Sequence, residues 1–160
     1  MQFMVEKFRA GLYNVGERTV GAVTIDLTGG EFRQLLDLVF IGNWVLNSTR
    51  GNDRIEEYDR IENKIFGLCS GTPLEALVEK RLGVALPSRA FQEGGIREAI
   101  AYYEDGVFFD ILAEELSKRD MGYPEITPEN YDELNERMDK YMREFDRSGV
   151  DHISMETAVD

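Results

Sequence analysis

A chain of 160 residues with 42% hydrophobic content is long enough for one domain, residues 1–160, with a core that needs no staples. One cysteine, Cys69, and one histidine, His152, exclude an internal disulfide and any Cys/His metal cluster. The net charge of −13 argues against direct binding to nucleic acid or to an anionic membrane, which calls for a basic patch.

The acidity is uneven. Residues 1–103 carry 14 acids and 12 bases, whereas residues 104–160 carry 17 acids and 6 bases. A basic partner suits that distribution, and so does plain solubility. Met1–Asn14 has charges at Glu6, Lys7 and Arg9 and no long apolar run, so it does not read as a signal peptide. The uncharged stretch Leu38–Thr49 is too short to span a bilayer. The cytoplasm is the expected compartment.

Gln2–Phe8 and Thr19–Leu27 show short period-two alternation and predict two strands. Thr28 with Glu31 forms a capping box ahead of Phe32–Leu46, the most apolar helix-length stretch and the one holding the only tryptophan, Trp44. Leu35, Leu36, Leu38, Val39, Phe40 and Leu46 share one broad face, and Ile41, Trp44 and Val45 extend it. That breadth predicts a helix covered by neighbours. Asn43 and Asn47 interrupt the apolar face one turn apart, and a buried amide needs a partner.

Asp53 with Glu56 predicts the next helix start, and Arg54–Cys69 carries an arc of Ile55, Tyr58, Ile61, Ile65, Phe66, Leu68 and Cys69. The short break before it favours an antiparallel pair with the tryptophan helix. Thr72-Pro73 predicts a further helix ending near Gly83, and Val84–Glu93 reads as irregular or briefly extended around Pro87. Gly94-Gly95 precedes a short helix through Tyr103, Asp105-Gly106 interrupts it, and another helix runs to about Arg119. Thr127-Pro128 opens the last helix, with Tyr131, Leu134, Met138, Tyr141 and Phe145 as its apolar stripe. Val150–Val159 alternates and predicts a C-terminal strand pairing with the N-terminal ones. The expected fold is mainly α (α+β): about five or six helices and a small antiparallel sheet made by the termini.

Glu62 falls inside the apolar arc of its helix, with Asp59 at the edge. Burial raises a carboxyl's pKa unless a donor or cation stabilises it. With the two helices antiparallel, Asn43, Asn47, Asp59 and Glu62 converge as a candidate ligand site, or as a buried network that fixes helix register. Glu56-x-x-Asp59-x-x-Glu62 is similar to one half of the paired Glu-x-x-Glu and Glu-x-x-Asp elements that hold Mg²⁺ in the all-α nucleoside triphosphate pyrophosphatases. That resemblance implies a Mg²⁺-dependent phosphohydrolase. The second half is not at the expected distance, since Asp110 and Glu114 come later with different spacing.

Gly67-Leu68-Cys69-Ser70-Gly71 matches the form of a nucleophile elbow, but a helix precedes it where the chemistry needs a strand. No phosphate-cradling glycine loop and no Glu-x-x-His pair is present. The residues therefore favour a protein that acts by binding a protein partner, a second copy of itself or a small ligand, without naming a cofactor. A Mg²⁺ phosphohydrolase and an acidic nucleic-acid mimic are the alternatives.

Overall fold

The computed structural model describes residues 23–154. Contacts group Leu36–Asp160 as one compact unit and Met1–Leu35 as another. In the unit that ends at Leu35, the capping box forms as expected. The Thr28 N–H donates to Glu31 Oε2 at 2.8 Å, and the Glu31 N–H donates to Thr28 Oγ1 at 3.3 Å. Helix α1, Gly29–Asn47, starts there. Val23–Leu27 is not paired as a strand, and the other predicted N-terminal strand lies outside the described residues.

From Leu36 onward the described elements are the rest of α1, helix α2 (Glu56–Gly67), a 3-10 turn (Glu75–Leu77), strands β1 (Val78–Arg81) and β2 (Val84–Pro87), the one-turn helix α3 (Arg89–Gln92), and helices α4 (Gly95–Asp120) and α5 (Tyr131–Ser148). The mostly helical character is as expected, but the sheet is elsewhere. It is a two-stranded antiparallel hairpin with Val78 opposite Pro87 and Arg81 opposite Val84. The chain after α5 makes turns and no strand up to Ser154.

The hairpin replaces the helix expected after Thr72-Pro73. Thr72 Oγ1 accepts from the Leu74 N–H at 3.1 Å and donates to the Cys69 carbonyl at 2.7 Å, which closes a turn. The strands meet at Leu82-Gly83, both in the left-handed region (φ +50° and +81°), as a two-residue hairpin turn requires. Leucine costs roughly 1 kcal/mol or more in that conformation, and its side chain projects fully into solvent. Asp53 does not cap α2. It pairs with Arg50 at 3.0 Å, and Ile55 occupies the cap position with no side-chain bond.

The core of this unit centres on Phe91. Its ring meets Phe40 edge-on at 5.4 Å and Phe66 at 5.1 Å. Leu36, Ile55, Cys69, Ile96 and Ile100 complete the buried apolar set around α1–α4. Ser88 sets α3 in place by accepting from the Phe91 N–H at 3.3 Å while donating to the Ala76 carbonyl at 3.1 Å. Helix α2 makes its closest backbone approach to β2, and side chains of Asn43 and Asn47 bridge it to α1. Nor is α1 covered all round, because Leu38 and Val45 are mostly exposed. Cys69 is fully buried at the end of α2, a packing position and not an elbow.

The two short helices expected on either side of Asp105-Gly106 are one continuous helix, α4. Its second half packs along α5, where Phe109 meets Phe145 at 5.3 Å and Ala113 and Leu134 are buried. Of the stripe expected on α5, Leu134 and Phe145 are buried and Met138 and Tyr141 half-buried, whereas Tyr131 is exposed. Among the described residues no helix is long and apolar enough to cross a membrane.

Gly106 lies inside α4, and a Cβ placed there meets nothing within 4 Å. Gly106→Ala should therefore stabilise the protein by about 0.5–1 kcal/mol, seen as a higher urea midpoint with unchanged slope. A loss of stability would mean that the helix is broken here.

Candidate functional site

Asn47 occupies the last turn of α1 and is almost wholly buried. Its Oδ1 accepts the Ile55 N–H at 2.9 Å, and its Nδ2 donates to the Ile55 carbonyl at 3.1 Å. One side chain thus satisfies both backbone groups of a buried residue at the entrance to α2. The same Nδ2 donates to Asn43 Oδ1 at 2.8 Å, which leaves the Asn43 Nδ2 to donate to Asp59 Oδ1 at 3.0 Å. The amide ladder expected along one face of α1 therefore reaches across to α2.

Asp59 is claimed by a second partner. Arg54 approaches it as a fork, Nε to Oδ2 and a terminal nitrogen to Oδ1, both at 2.7 Å. These bonds hold the Asp59 carboxyl below the usual carboxylate range and raise the guanidinium above its own. Glu62, one turn further along α2, is 8% exposed. Burial pushes its carboxyl from an ordinary 4.5 up to about 7; the Asn43 amide offsets part of this, and the Asp59 charge adds to it. Two acids three residues apart are thus driven in opposite directions, one by a cation and one by desolvation.

Beside Glu62 a cleft of about 500 Å³ opens among α1, α2, the hairpin and α3. Asn43 and Glu62 line it, whereas Asn47 and Asp59 stand behind and support them. Phe40, Trp44, Leu86 and Pro87 supply apolar surface. Arg54, Arg81 and Arg89 bring positive charge, with Arg81 paired to Glu79 and Arg89 to Glu93 at 2.8 Å each. The cleft combines apolar surface, convergent polar groups and a perturbed acid, the general form of a small-ligand site.

The four residues expected to converge do so, but only two face the cleft. Sequence reasoning missed Arg54, Trp44, Arg81 and Arg89 as parts of the site. Arg54 was legible in part, as a base just ahead of the candidate acid pair, but Arg60 and Lys64 lie as near in sequence and do not join it. Glu56, the first residue of the acid pattern, is exposed and pairs with Arg60 at 3.6 Å. Among the described residues no group of three or more His, Cys, Asp or Glu side chains converges as metal ligands would. His152 lies outside the site, 2.6 Å from Glu144. Comparison with protein-family models, curated proteins and solved structures finds no match.

The unfolded chain ionises Glu62 near 4.5 and the folded chain near 7, so the native state holds this proton more firmly between those values. Stability is lost as pH rises through that window and stays lost above it. Glu62→Gln, which cannot ionise, should differ little from wild type at pH 4.5. At pH 8 it should be more stable by on the order of 2–3 kcal/mol, read from paired thermal melts. A difference that does not change with pH would contradict the burial of this acid.

Proposed function

We propose that the protein acts by binding, and that the cleft beside Glu62 is its small-ligand site. The observation that carries this reading is a buried acid with a strongly raised pKa at the wall of an open cleft. A group that costs stability when ionised is retained more readily where it serves recognition. Glu62 and Asn43 offer an acceptor and an amide, and Trp44 and Phe40 offer a flat apolar wall. A ligand carrying a hydrogen-bond donor or an amine beside an apolar body suits that arrangement. An amine would pair with the ionised carboxylate and release a proton on binding near neutral pH.

Arg54 leaves Asp59 with little capacity to serve elsewhere, because its fork occupies both carboxylate oxygens. In this reading Asp59 anchors the wall and Glu62 meets the ligand. A phosphohydrolase would need further acids to join Glu62, and stabilisation by Mg²⁺ or Mn²⁺ is the result that would support it.

The test is a thermal-shift screen of wild type and Glu62→Gln against small amines, nucleotides and divalent metals at pH 6 and pH 8. A ligand at about 100 times its Kd should add about 2.7 kcal/mol, a rise of several degrees in Tm. The shift should shrink or vanish in Glu62→Gln. No stabilising ligand, or one that stabilises both proteins equally, would overturn the proposal.

A further inference from the structure

The charges that line the Glu62 cleft lie at different depths. Glu62 and Asn43 are almost wholly buried. Arg81 and Arg89, by contrast, have side chains 72% and 82% exposed, which places them at its mouth. They come from separate elements. Glu79, Arg81 and Leu86 share one face of the hairpin, because Glu79 and Arg81 are two apart on β1 and Leu86 stands opposite Glu79. Arg89 opens α3, with Gln92 and Glu93 one turn further along the same side.

Each mouth arginine is held by a near neighbour in sequence, but only in part. Glu79 meets Arg81 at Nε, and Glu93 meets Arg89 at Nε, both at 2.8 Å. Among the described residues neither guanidinium donates a hydrogen bond from its terminal nitrogens. Arg54 differs, since its fork on Asp59 uses Nε and a terminal nitrogen together. Exposed pairs such as those of Arg81 and Arg89 contribute little on their own. The two guanidiniums are thus oriented and still able to take a carboxylate on their terminal nitrogens.

Charge balance narrows the ligand. Glu62, Glu79 and Glu93 are matched in the lining by Arg54, Arg81 and Arg89. A polyanion would meet Glu79 or Glu93 beside each mouth arginine, and a polycation would meet the guanidiniums. A molecule with one charge of each sign avoids both penalties.

We propose that the cleft binds a small zwitterion, its amine on Glu62, its apolar body on Trp44 and Leu86, and its carboxylate on Arg81 and Arg89. Amino acids with apolar side chains belong to this class. The inference rests on the reading of the cleft as a small-ligand site and adds the anionic half of the ligand.

The experiment is calorimetric titration at pH 8, where Glu62 is ionised, with four probes that share one ring. They are phenethylamine, phenylpropionate, phenylalanine and para-aminoethylbenzoate. The two zwitterions differ in how far apart their charges stand. The better of them should bind about tenfold or more tightly than phenethylamine, the gain from charge-assisted bonds to guanidinium, and phenylpropionate should bind more weakly than both. Arg81→Gln and Arg89→Gln together, at exposed positions, should bring the zwitterion toward the affinity of the amine and leave the amine unchanged. Glu62→Gln should weaken both.

Zwitterions that bind no better than phenethylamine, while the amine still needs Glu62, would overturn this inference and leave the small-ligand site standing. A gain that survives both arginine substitutions would also overturn it, as would phenylpropionate that matches the zwitterions. Binding of none of the four probes would overturn the inference together with the reading it rests on.

Discussion

Two hydrogen bonds from the Asn47 side chain to the backbone of Ile55 fix how the acidic helix meets the tryptophan helix. The helices are not held by close backbone packing, since α2 lies mainly against the hairpin. Their register comes from this clamp and from the Asn47–Asn43–Asp59 chain that continues it. Every polar atom of the Asn47 amide is used inside the protein. Partial satisfaction would be costly here, because a buried amide left half-paired has no water to turn to.

The clamp also divides the work between two acids. By placing Asn43 against Asp59, and Asp59 within reach of Arg54, it makes the first acid an anchor whose ionised form is favoured. Glu62 receives less help. Desolvation outweighs both the Asn43 amide and the Arg54 charge, and the carboxyl titrates near neutrality. Paired acids with opposite perturbations recur where one carboxylate supports and the other reacts or binds. Trp44 lines both this cleft and an apolar pocket shared by α1 and α4.

Much of the helical framework was legible because long amphipathic segments carry their period openly. The α5 stripe through Leu134 and Phe145 and the Thr28–Glu31 cap belong to this class. The amides and acids of the site were legible for the same reason, as polar residues out of place on apolar faces. What failed has identifiable causes. The Leu82-Gly83 turn lacks the Asn or Asp that usually marks a left-handed first position, so the segment of its first strand looked helical. Gly106 suggested a break, but one glycine costs a long helix only about 1 kcal/mol, which the flanking turns absorb. Exposure of Leu38 and Val45 could not be read from their own helix, since periodicity records which residues share a face and not what covers it. The cleft gathers Arg54, Arg81 and Arg89 from three separate segments, a convergence only the fold produces.

The most direct test of this account is hydrogen exchange at the Ile55 amide in wild type and in Asn47→Ala. The clamp predicts strong protection of that N–H in wild type, far beyond an ordinary loop amide. Asn47→Ala should abolish the protection and destabilise the protein by about 2–4 kcal/mol, because two buried backbone groups lose their partner. An Ile55 amide that already exchanges rapidly in wild type, or a variant of unchanged stability, would show that Asn47 does not hold the helices together.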